Sequence, residues 1–165
     1  MSEIALLTWV VTVLGGLFLL AIWLIEYDPD IQRAAATRLP VPVISGHATL
    51  AIAGLVVWVF YLITDKDQFA WATLAILSAV VTLGLTMAVR WVAVYRASPS
   101  RRARARVMAA TAGGGPVPAN VPARPIDVLV PPERHFPLSV VIGHGVFALT
   151  TVTLVVMTTL GVGSS

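Results

Sequence analysis

The chain contains no cysteine, which removes thiolate nucleophiles, disulfides, iron–sulfur clusters and cysteine zinc sites together. Charge is nearly as scarce. Only 12% of the 165 residues are Asp, Glu, Lys or Arg, against about a quarter in soluble domains. Hydrophobic residues reach 58%, and the mean hydropathy is +0.88. A soluble globule of this composition is short of polar surface, so lipid or other protein must cover its outside. Catalytic signatures are missing as well. No Ser-His-acid set, phosphate loop or metalloprotease motif occurs, and no enzymatic activity is expected. The long apolar stretches hold no acidic residue, which argues against a transporter or proton pump.

What is present is hydrophobic length. Uncharged runs cover 4–25, 39–64, 68–89 and 136–165. A hydrocarbon core about 30 Å thick needs roughly 20 helical residues, and each run passes that threshold. The runs are apolar all round and too long for barrel strands. The expectation is an all-α polytopic membrane protein, a four-helix transmembrane bundle forming one domain over 1–165. Helices are expected near 4–26, 41–63, 69–95 and 138–160. The first run follows Met1-Ser2-Glu3 without a basic n-region, so it reads as a retained helix rather than a signal peptide.

The few charges carry direction. Eight of the eleven Lys and Arg fall between Arg90 and Arg134. Arg33 and Arg38 lie between the first two spans, whereas the second connection reads Asp65-Lys66-Asp67. The positive-inside rule then puts both termini outside and the two basic loops in the cytoplasm, beside anionic headgroups. The formal charge of +3 is thus a topology label, and no nucleic-acid partner is expected. Trp9, Trp58 and Trp71 fall near the outer ends and Trp23 and Trp91 near the inner ends, the levels of an aromatic belt. The 97–137 loop opens with an arginine cluster, passes Gly113-Gly114-Gly115, and carries seven of the eleven prolines from Pro116 to Pro137. Regular helix is excluded from the glycine run onward; that segment reads as disordered, or as an extended strap on a partner that 126–130 is apolar enough to anchor.

An internal match supplies the candidate site. Pro40-Val41-Pro42-Val43-Ile44-Ser45-Gly46-His47 aligns without gaps to Pro137-Leu138-Ser139-Val140-Val141-Ile142-Gly143-His144. The two spans run in the same direction, so His47 and His144 lie at one depth, roughly 10 Å from their helix starts. His47, Ala51 and Gly54 share a helical face, as do His144, Ala148 and Thr151. One reading is bis-histidine ligation of a single haem b by neutral imidazoles, with Arg38, Arg134 and His135 at the inner boundary near its propionates. The other is that each ring donates to a helix carbonyl, or to a Ser or Thr of a neighbour. His135 itself reads as interfacial. Glu26 and Asp28 are expected to pair with Arg33, Arg38 or the third loop.

The Pro-x6-His entrances, with the stretches Gly-His-Ala-Thr-Leu-Ala-Ile-Ala-Gly at 46–54 and Gly-His-Gly-Val-Phe-Ala-Leu-Thr-Thr at 143–151, resemble a group of small actinobacterial four-helix membrane proteins of mycobacterial type. That resemblance implies this architecture and a bacterial inner-membrane setting. Size, the lack of a catalytic set and the proline-rich loop suggest a non-catalytic accessory subunit. Through Gly, Ser and Thr faces, Gly15-Gly16, Ser78 and Gly84 among them, it would pack against and stabilise a larger inner-membrane complex, whether for transport such as lipid import or for respiration. It would then need no cofactor. The alternative is a b-type cytochrome-like subunit holding one haem between His47 and His144.

Overall fold

The structure is a computed structural model, and it describes residues 1–27, 39–96 and 132–162, except the Tyr95 side chain. The expectations for Asp28, Arg33, Arg38, the arginine cluster, the glycine run and the 126–130 strap fall outside these residues. Four long helices account for nearly all of the rest: α1 (Ser2–Ile25), α2 (Val41–Thr64), α3 (Asp67–Arg96) and α4 (Leu138–Thr159). All four are long and apolar enough to cross a membrane. A 3-10 turn, Pro132–His135, precedes α4.

Prolines start α2 and α4 in the same way. Pro40 and Pro137 sit at φ −65° and −63° in extended backbone, and a ring already fixed near that φ presets the first turn. Their carbonyls accept from Val43 and Ile44, and from Val140 and Val141. At the far end, α2 stops at Asp65, whose φ of 53° is left-handed. Its N–H bonds Tyr61 O at 2.8 Å. Asp is among the few residues that tolerate this conformation, so the chain reverses through Asp65-Lys66 directly into α3.

The helices form an up-and-down ring. Pairs α2·α3 and α1·α4 pack most extensively, α1·α2 and α3·α4 less so. Helices α2 and α4 stand on one diagonal and α1 and α3 on the other, without backbone contact across either. Antiparallel neighbours are fixed by cross-helix bonds. Trp58 Nε1 donates to Ser2 O at 3.2 Å, and Thr151 Oγ1 to Thr8 Oγ1 at 3.0 Å.

The outside of the ring is apolar on every helix: Leu7, Ile63, Val89 and Leu149 are each more than 60% exposed. Such a surface is stable against lipid tails and not against water, and the chain is built as a multi-pass membrane protein. The tryptophans correct the aromatic-belt reading. Trp9, Trp23, Trp58 and Trp91 are all buried between helices, and of the five only Trp71 is exposed. With few large side chains facing inward, the wide indoles fill the space between helices that span four corners.

Candidate functional site

Six residues into α2 and α4, His47 and His144 reach from opposite corners toward the centre of the ring. Their ring centroids are 6.3 Å apart, with planes at 60°. The two residues singled out in the sequence are therefore brought together at one depth.

Each imidazole is fixed to a neighbouring helix. His47 Nδ1 lies 3.0 Å from Val80 O on α3, and His144 Nδ1 lies 3.0 Å from Thr12 O on α1. A carbonyl only accepts, so Nδ1 carries the proton in both rings and Nε2 keeps its lone pair. Among the described residues neither Nε2 has a hydrogen bond. The carbonyl-bonding reading thus holds for one nitrogen of each ring and leaves the other unassigned. An unpaired polar atom at this depth costs free energy on the scale of kilocalories.

The close approach of ring to carbonyl depends on a glycine one turn further on. A Cβ at Gly16 would sit 3.0 Å from His144 Cε1, and one at Gly84 would sit 3.1 Å from His47 Cε1. The absence of that atom lets each ring lie flat on the helix that orients it. The glycines of the two Gly-His pairs have no such role. A Cβ at Gly143 would meet nothing within 4 Å, and one at Gly46 only Leu83 at an ordinary 3.7 Å. Gly16 and Gly84 are the site residues that the sequence reading counted only as packing surfaces. Their signal was present as a second repeat, Gly-Leu-x5-Trp, at 16–23 and again at 84–91.

Both rings border a cavity of about 400 Å³, within the range of small-ligand and cofactor sites. Its walls carry Gly16, Gly84, Ala51 and Ala148 beside the histidines, and it runs down to Trp23, Trp91 and Phe136. Almost all of the lining is apolar. Thr151, at its upper edge, has its hydroxyl closed on Phe147 O and Thr8 Oγ1.

Chemically, the site offers two imidazole Nε2 lone pairs and little else. Among the described residues no three His, Asp or Glu lie together to hold a bare metal ion. A metal here must bring its remaining ligands with it. Metal–imidazole bonds of about 2.0–2.1 Å, with the nitrogen about 1.2 Å from its ring centre, put two opposed imidazoles about 6.4 Å apart between centroids. The observed 6.3 Å matches that span.

At the end where α2 begins, Glu26 lies beside His135 of the third connection. Its Oε2 lies 3.8 Å from His135 Nδ1, both side chains being roughly half exposed, as expected of an interfacial His135. Arg134 is half-buried beside it. Trp91 Nε1 donates to Glu133 O at 3.1 Å, tying the 3-10 turn to α3. The hydroxyls of the outer faces are self-satisfied: Ser78, Thr82 and Thr86 on α3 and Thr150 and Thr153 on α4 each bond a carbonyl four residues back.

The chain matches no protein-family model, no curated protein and no solved structure, so the site must be argued from its own geometry.

Proposed function

We propose that this protein is a small b-type cytochrome subunit that binds one haem through His47 and His144 and transfers electrons. The observation that carries the reading is the pair of imidazoles 6.3 Å apart, each held by its Nδ1 on a backbone carbonyl. Such a bond fixes the tautomer and raises the basicity of the nitrogen that ligates. His47 and His144 would hold the haem through their free ring nitrogens, and a haem held by two imidazoles would supply one-electron transfer. The chain would supply the apolar walls, the axial ligands and their orientation.

One haem about 10 Å from one end of the bundle does not bridge the bilayer. Electrons therefore enter and leave on one side, which requires a donor and an acceptor outside this chain. The accessory-subunit role belongs here: the protein works within a larger respiratory assembly of the bacterial inner membrane, with both termini outside and the haem near the cytoplasmic leaflet. The small and hydroxyl residues on the outer faces of α3 and α4 support that packing role. Their hydroxyls need no partner of their own, so close contact with another helix leaves no polar group stranded.

The test is an absorbance scan of the full chain purified in mild detergent from haem-replete cells. A Soret band that shifts on reduction and disappears in both His47→Ala and His144→Ala is expected. A colourless protein defeats the reading.

A further inference from the structure

The contacts around the two histidines occur twice. Gly16 and Trp23 of α1 correspond to Gly84 and Trp91 of α3, while Pro40 and His47 of α2 correspond to Pro137 and His144 of α4. Thr12 and Val80, whose carbonyls hold the rings, each lie four residues before the glycine. Several buried positions follow the same rule: Ala5 with Thr73, Trp9 with Leu77, and Trp58 with Val155 are corresponding pairs. The extensive contacts α2·α3 and α1·α4 exchange with each other, and so do the sparser α1·α2 and α3·α4. These equivalences describe a half-turn about an axis that runs along the bundle and passes between the imidazoles. The chain is two copies of one helical hairpin, each giving one histidine and one carbonyl–glycine seat.

This symmetry has a consequence for the ligand, and it rests on the haem reading above. Haem b carries two propionate carboxylates on one edge, and charge at hydrocarbon depth is strongly disfavoured. The carboxylates must point to the nearer end of the bundle, where Arg134 and His135 directly precede Phe136 of the cavity lining. The line from the iron between the propionates then coincides with the half-turn axis. Rotating the porphyrin by that half-turn leaves iron, axial ligands and carboxylates in place. It exchanges only the vinyl and methyl groups of the opposite edge, which meet walls that are near copies of each other.

We propose that the cavity takes iron porphyrin in two orientations related by a half-turn about the bundle axis, both substantially populated. On the side away from the propionates the walls differ where Trp9 on α1 corresponds to Leu77 on α3, both lining the cavity, so that pair sets the bias between orientations.

The test is proton NMR of the ferric full-length protein in micelles, reading the haem methyl resonances shifted outside the protein envelope. With haem b, two sets of methyl signals are expected, with populations within about tenfold of each other. Loading with iron protoporphyrin III, whose vinyl and methyl groups are symmetric about the same line, should collapse them to one set. Trp9→Leu should bring the ratio closer to one. A single set with haem b, in a protein that shows the Soret band, overturns the two-orientation proposal alone. Two sets that persist with protoporphyrin III also overturn it, because the doubling then comes from the protein. A protein that takes no porphyrin defeats the haem reading and this inference together.

Discussion

Replacing Gly16 by alanine adds one methyl group at the point where the site is tightest. That carbon would stand 3.0 Å from His144 Cε1 and 3.5 Å from Nδ1, whereas carbon contacts relax at about 3.5–4.0 Å. The ring must retreat by roughly half an ångström. Its Nδ1 bond to Thr12 O, now 3.0 Å, then lengthens to the edge of useful hydrogen-bond geometry. Losing the partner that orients a ligating imidazole weakens metal binding by about 10–100-fold. The fold should survive, because alanine is the better helix former by about 1 kcal/mol. Gly84→Ala puts its methyl 3.1 Å from His47 Cε1 and should behave alike, which makes the pair a test of the half-turn as well. Gly143→Ala, with nothing within 4 Å of its new carbon, is the control. The assay is haem retention against an excess of a haem-accepting apoprotein, followed at the Soret band. Retention of haem within twofold of wild type in both Gly16→Ala and Gly84→Ala would refute the argument that these glycines seat the ligands.

Other substitutions probe the frame around the site. Trp58 is fully buried; Trp58→Ala should lower stability in detergent by about 3–5 kcal/mol, while Trp58→Phe should cost much less, losing mainly the bond to Ser2 O. Thr151→Val removes a buried interhelical hydroxyl bond and should cost about 0.6 kcal/mol and no more than about 1.7, read by thermal unfolding of the purified protein. The absence of native cysteine makes topology simple to map: Lys66→Cys should react with a membrane-impermeant thiol reagent added to intact cells, and Arg101→Cys should react only after lysis.

The span count was legible because nothing but helix satisfies the backbone over twenty uncharged residues in lipid. The depth match of His47 and His144 was legible for a related reason: two proline entrances start two helices, and equal spacing then fixes equal depth. What the sequence hid was rotation. In a soluble bundle an apolar stripe reports which side faces inward, but these helices are apolar on every side. The diagonal placement of α2 and α4 left no trace in composition. The tryptophans were misplaced on the belt for the same reason, since depth alone does not say whether an indole faces lipid or its neighbours. Gly16 and Gly84 act through an atom they lack, and their role appears only once the imidazoles of the other hairpin are laid on them.

The account stands on one iron held between His47 and His144, and low-temperature EPR of the oxidised full-length protein addresses that most directly. Two imidazoles with planes at 60° predict a six-coordinate low-spin ferric signal, at one haem per chain, that is lost when either histidine is replaced by alanine. A high-spin signal in the wild-type protein, or a low-spin signal that survives His144→Ala, would contradict it.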